Sequence, residues 1–122
     1  MNIQIKNTNL SLTPDISEYL NKRLNDVARL VDGRDSGALC RVEIGKTTNH
    51  HKSGDIFHAE INLCLKGQDM YVVADTEDLY ASIDEVKDEI IKKIKSYKEK
   101  RETLYRRGRT TIKNILKGFG RQ

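Results

Sequence analysis

From Phe57 to Lys66 the chain alternates without a fault: Phe57, Ala59, Ile61, Leu63 and Leu65 interleave with His58, Glu60, Asn62, Cys64 and Lys66. Only an extended strand, whose side chains point to opposite faces in turn, sorts these residues onto one apolar and one polar surface. The run is long enough for a central strand. Such a strand needs neighbours for its backbone groups and a cover for its apolar face. The flanking sequence supplies both.

Cys40, Val42 and Ile44 alternate with Arg41, Glu43 and Gly45 as a strand on one side, after a polar connector over Arg34–Ala38 and before a loop over Thr47–Asp55. On the other side Gly67-Gln68-Asp69 turns the chain back into Met70–Ala74, so three consecutive strands form an antiparallel meander. Met1–Asn7 is a fourth strand, with Ile3 and Ile5 on one face and Leu10 and Leu12 as a candidate continuation.

Two helices provide the cover. Thr13-Pro14-Asp15 carries a capping hydroxyl, a proline for the first helical position and an acid favoured by the helix dipole. Ile16, Leu20, Leu24, Val27 and Val31 then share one face of a helix that ends near Gly33. Asp75-Thr76-Glu77-Asp78 opens the second helix, where Leu79, Ile83, Val86, Ile90, Ile94 and Tyr97 form a sustained stripe reaching to about Arg101. The acids of its first half and the bases of its second suit the macrodipole. The expected fold is therefore α+β, in the order β-α-β-β-β-α, with a four-stranded sheet and both helices packed on one face. Helix one carries the chain back across the sheet so that the first strand can join the meander.

A chain of 122 residues has room for one core. The reading places a domain over residues 1–102 and a basic, flexible extension over 103–122, where Ile112, Ile115, Leu116 and Phe119 suggest a short amphipathic helix interrupted by Gly118 and Gly120. Arginine with glycine and scattered apolar groups is a composition that orders on RNA, where guanidinium groups pair with phosphate and stack on bases. A membrane-surface helix or a partner-binding peptide is the weaker reading, because the apolar face is short. No apolar run approaches the roughly 20 residues of a membrane span, and the N-terminus lacks a signal-peptide core. A cytoplasmic protein without a membrane partner is expected.

Catalytic signatures are thin. No glycine-rich phosphate loop, nucleophile elbow or paired metal-ligand spacing is present, and Gly45-Lys46-Thr47 lacks the upstream glycine of a phosphate loop. His50, His51 and His58 do not have the spacing of a metal site. Cys40 and Cys64 belong to opposite faces of the sheet, which argues against a disulfide. The expectation is a protein that is not an enzyme and takes no cofactor, metal or small-molecule substrate.

Charge is the remaining signal, and it is one-sided. Residues 1–95 hold 13 Lys/Arg against 16 Asp/Glu, a net of −3, whereas residues 96–122 hold 9 against 2, a net of +7. A cationic end of this kind suits a polyanion, because each phosphate it neutralises releases counterions. By helical register Lys87, Lys95 and Lys98 share one flank of the second helix, and Lys93 and Lys100 the other, with Glu89. Lys22, Arg23 and Arg29 lie off the apolar stripe of the first helix, so a groove between the helices lined by bases from both is expected.

Three stretches carry a family resemblance: Leu12-Thr13-Pro14-Asp15-Ile16, Tyr19-Leu20-Asn21-Lys22-Arg23-Leu24, and Glu77-Asp78-Leu79-Tyr80-Ala81-Ser82-Ile83-Asp84. The last is the most specific, and Lys98-Glu99-Lys100-Arg101 adds a matching basic end. Over residues 1 to about 101 the chain resembles the ribosome hibernation-promoting factors, also called ribosome-associated inhibitors or sigma-54 modulation proteins, in their short form. Leu79 and Ser82 are mild departures from the family signature, while Glu89 and Asp26 stand where members often carry bases. The resemblance implies binding to the small ribosomal subunit and its rRNA, in the cleft for mRNA and tRNA, with translation inhibited by occlusion as part of a stress response. The implied rRNA-facing residues are Lys22, Arg23, Arg29, Lys87, Lys92, Lys93, Lys95, Lys98, Lys100 and Arg101, extended by Arg106, Arg107 and Arg109. Asp78, Tyr80 and Asp84 match the signature. The extension is too short for the domain by which long forms pair ribosomes, and a monomer is expected off the ribosome. The alternative is a general double-stranded RNA or mRNA binding module, since a sheet backed by helices with basic ends suits A-form RNA.

Overall fold

In a computed structural model the chain follows the expected order: β1 (Asn2–Thr8), α1 (Pro14–Leu30), β2 (Leu39–Thr48), β3 (Asp55–Leu65), β4 (Gln68–Thr76) and α2 (Leu79–Phe119). The structure describes residues 1–31, 37–48 and 54–119, and their side chains as far as Arg109 except Thr48. α1 ends at Leu30, with Val31 capping it in an extended conformation, short of the expected end near Gly33. Gly33 itself, most of the connector over Arg34–Ala38, His50 and His51, and Gly120 to Gln122 lie outside the described residues.

The strands lie in the order β1-β2-β3-β4. β3 is antiparallel to both neighbours, with Ile61 opposite Val42 on one side and Val72 on the other. β1 runs parallel to β2, with Ile3 beside Cys40 and Ile5 beside Val42, so α1 is the crossover that parallel neighbours require. The β3–β4 connection is tight, and Gly67 takes a φ of 80°, where a side chain would be strained.

One face of the sheet is apolar. Cys40, Val42, Ile44, Ala59, Ile61, Leu63, Leu65, Met70, Val72 and Ala74 meet Leu20, Leu24 and Val27 of α1 and Leu79, Ile83, Val86, Ile90 and Ile94 of α2 in a single buried cluster. Both helices therefore cover the same face. Thr13 caps α1 by accepting from the Ile16 amide at 3.3 Å, directly before Pro14. Ser82 is the one buried polar side chain among the described residues. Its hydroxyl donates to the Phe57 carbonyl at 2.7 Å and lies 2.7 Å from Thr76 Oγ1, so its burial leaves no bond unmade. Burial raises the Cys40 thiol to about 11, with Cys64 adding to the shift, and both cysteines are free.

Several boundaries differ from the sequence reading. β2 runs on to Thr48 and β3 begins at Asp55, so pairing takes both ends of the loop expected over Thr47–Asp55 into strands, and β4 begins at Gln68, inside the expected turn. β1 stops at Thr8 because Asn9 turns the chain at a φ of 53°, so Leu10 and Leu12 do not prolong it. β4 runs on to Thr76 and α2 starts at Leu79, which leaves Glu77 and Asp78 ahead of the first turn. The largest difference is at the far end: α2 does not stop near Arg101 but continues as one helix to Phe119. Ser96 to Arg107 contains no proline, and the single Gly108 lowers helix propensity without preventing the helix.

Candidate nucleic-acid interface

The two helices meet at a clamp of four side chains. Tyr19 Oη donates to both carboxylate oxygens of Asp84, each at 2.7 Å, and Arg23 Nε donates to Asp84 Oδ1 at 2.9 Å. Arg23 also donates to Tyr19 Oη at 3.2 Å, with its guanidinium 4.5 Å from the centre of that ring. Tyr80 meets Tyr19 edge-on, with ring centres 4.7 Å apart. Helical spacing creates this arrangement, since Tyr19 and Arg23 are one turn apart on α1 and Tyr80 and Asp84 one turn apart on α2.

Titration follows the geometry. Partial burial pushes the Asp84 carboxyl up, but the bonds from Tyr19 and Arg23 outweigh it and hold the group below the usual carboxylate range. The bond to Asp84, with burial behind it, raises the Tyr19 phenol. The Arg23 guanidinium is likewise raised, by Tyr19 first and Asp84 second.

The clamp bears on the expected groove between the helices. Arg23 points into the seam and is committed to Asp84. Lys87 lies 2.6 Å from Asp88, Lys22 lies 3.2 Å from Glu18, and Arg29 lies 3.7 Å from Asp26. Of the bases expected to line a groove between the helices, Arg23 alone is paired across the seam, while Lys22 and Arg29 are exposed and pair within α1. Of the signature residues, Asp84 and Tyr80 build the clamp, while Asp78 uses its backbone: its carbonyl accepts from Thr76 Oγ1 at 2.7 Å and from the Ser82 amide at 3.0 Å.

Beyond the clamp the charges of α2 change character. Lys92, Lys93, Lys95, Lys98, Lys100 and Arg101 are all exposed and make no ion pair among the described residues. Lys92, Lys93 and Lys100 border an open cleft of about 420 Å³ against the start of β4, together with Ser96, Tyr97 and Asp69. Lys95 and Lys98 fall on the flank nearer α1. Every described side chain from Lys98 to Arg109 is exposed. In that stretch Arg106 donates to Glu102 at 2.7 Å and the Arg109 guanidinium lies 4.8 Å from the Tyr105 ring centre. Arg107 is exposed on the same segment.

The opposite face of the sheet has a different charge. His58 lies 2.7 Å from Asp75 and 3.3 Å from Glu60, which also accepts from Tyr71 Oη at 2.7 Å, and Glu43 accepts from Thr8 at 3.0 Å. Burial opposes protonation of His58, but Asp75 and Glu60 more than offset it and raise its pKa. The Tyr71 bond is the largest influence lowering Glu60. Lys6 and Arg41 lie on the same face beside Glu43, so the charges of that face are mixed and largely paired, unlike the row of cations on α2. Sequence reasoning missed Tyr19 as a site residue; its signal was the i, i+4 pair it makes with Arg23, facing a second such pair on α2. Among the described residues no group of three or more His, Cys, Asp or Glu is placed to hold a metal.

The architecture has counterparts. The N-terminal domain of Thermus thermophilus Protein Y superimposes with a TM-score of 0.64 at 28% identity, covering 80% of this chain and 99% of that one. A ribosomal subunit interface protein from Coxiella burnetii shares the fold, with a TM-score of 0.63 at 20% identity over 81% of this chain and 99% of its own. No curated protein matches the chain. Residues 3–102, which hold the sheet, the clamp and the row of unpaired lysines, match the family described as sigma 54 modulation protein / S30EA ribosomal protein, and the chain belongs to that family.

Proposed function

We propose that the protein binds the small ribosomal subunit through its rRNA, occupies the cleft used by mRNA and tRNA, and inhibits translation by occlusion in the cytoplasm. The observation that carries this reading is the run of unpaired, exposed cations from Lys92 to Arg101 in a chain of this ribosomal-protein family. Phosphate takes up such charges at little cost, because no internal ion pair must first be broken. Lys22, Arg29, Lys87 and Arg106 have carboxylates beside them and join as secondary contacts, while Arg23 acts through the clamp that sets the two helices. Arg107 and Arg109 extend the row outward. The reading requires no chemistry at the site: occupancy alone would block the cleft.

Co-sedimentation with purified small subunits, with and without bound mRNA and tRNA, tests it. Saturable one-to-one binding that those ligands displace is expected. Non-saturating binding that ignores them and is matched by bulk duplex RNA would contradict it and identify a general RNA binder.

A further inference from the structure

By helical register α2 carries one apolar stripe along its whole length, and among the described side chains only its first part is buried. Leu79, Ile83, Val86, Ile90 and Ile94 are buried on the sheet, and burial ends with Tyr97. At about 100° per residue, Leu104, Tyr105, Ile112, Ile115, Leu116 and Phe119 fall on the same arc, roughly 120° wide, with Lys98, Arg101 and Gly108 as its interruptions. Leu104 and Tyr105 each keep 66% of their surface exposed. The sequence alone makes this face short; the continuous helix to Phe119 extends it over more than four turns.

What covers the arc must also accept charge. Residues 98–119 hold 8 Lys/Arg against 2 Asp/Glu, a net of +6. Arg109 falls about 20° beyond one margin of the arc and Arg107 about 60° beyond the other, with Arg106 farther round. A second copy of the helix would bring two such cationic segments together. RNA would satisfy the cations and leave the apolar arc in water. An anionic lipid surface satisfies both, since an amphipathic helix lies in the headgroup boundary with its apolar face inward and its Arg and Lys side chains reaching the headgroups.

We propose that residues 98–119 form an interfacial helix that holds the protein on an anionic membrane surface. The helix lies on the bilayer and does not span it, as no helix among the described residues is long and apolar enough to cross. Tyr105, an aromatic ring with a polar tip, suits the boundary level. This proposal does not depend on subunit binding, and the flotation assay itself contains no ribosomes.

The test is flotation of the full-length, nuclease-treated protein with two kinds of vesicle, phosphatidylcholine alone and phosphatidylcholine mixed with phosphatidylglycerol. A variant carrying Leu104→Ser, Ile112→Ser and Leu116→Ser keeps every charge and removes half of the arc. The wild type is expected to float with the anionic vesicles only, and the variant to bind them at least about tenfold more weakly, with the thermal unfolding of the body unchanged. Absence of flotation would overturn the proposal, as would equal flotation of the variant, which would reduce the effect to charge alone. A concentration-dependent dimer lost in the variant, without flotation, would assign the arc to a second copy. Weaker small-subunit binding by the variant, without flotation, would assign it to the ribosome.

Discussion

The two ends of α2 share a periodicity and differ in everything that periodicity does not control. From Leu79 to Tyr97 the stripe lies on the sheet, Asp84 is locked to α1 and Lys87 has Asp88 beside it. From Lys98 to Arg109 every side chain is exposed, Leu104 and Tyr105 of the stripe included. Hydrophobic spacing fixes which residues share a face; whether that face is covered depends on elements far away in sequence. The comparison also separates two kinds of charge. Charges committed to the clamp set the angle between the helices, while uncommitted charges remain available to a partner.

The sharpest way to break this contrast is to cut into each half of the stripe. Ile90 is fully buried, so Ile90→Ala should destabilise the domain by about 2–5 kcal/mol through lost burial and the cavity left behind. Leu104→Ala should stay within about 0.5 kcal/mol. Urea denaturation followed by circular dichroism measures both, and comparable losses would mean that the outer half of α2 packs on the body after all.

Next in size is the clamp. Asp84→Asn should cost about 1 kcal/mol, a figure kept low because the carboxylate and its Arg23 partner are both partly open to solvent. The pH dependence has a definite sign. Because the folded pKa of Asp84 is depressed, its contribution is present above the unfolded carboxylate value and is lost as pH falls through the folded one. The wild type should therefore lose more stability than Asp84→Asn on acidification below about pH 4. Parallel stability curves for the two proteins would show that the clamp carries no linked proton.

The smallest effect concerns Gly108, where an added Cβ meets nothing within 4 Å. Gly108→Ala should favour the outer helix by up to about 1 kcal/mol and raise helical ellipticity without moving the unfolding midpoint of the body. A fall in ellipticity would show that the glycine has a conformational role there.

Much of this architecture is legible in the residues. Strict alternation in β3 and the four-and-three spacing of α1 and α2 leave little choice of element, and Thr13-Pro14 marks a helix start by chemistry alone. The far end of α2 is not legible, because Gly108 and the missing cover weaken the local signal while nothing local forbids the helix. The start of α2 was misplaced because Thr76, Glu77 and Asp78 suit a cap, and only pairing with β3 shows that Thr76 belongs to a strand. For the site, the row from Lys92 to Arg101 is visible as composition. That Arg23 is engaged and Lys95 is not depends on which carboxylates the packed helices bring near, and only three-dimensional packing supplies those neighbours.

The most direct test of the central claim compares the wild type with a Lys95→Gln, Lys98→Gln, Lys100→Gln variant in binding small ribosomal subunits across a salt series, with unfolding midpoints checked to be equal. If the uncommitted cations of α2 hold the rRNA, the variant binds more weakly and its plot of log affinity against log salt is flatter by about 2–3, the loss expected for three phosphate contacts. Unchanged affinity and an unchanged slope would contradict the account and move the binding surface away from α2.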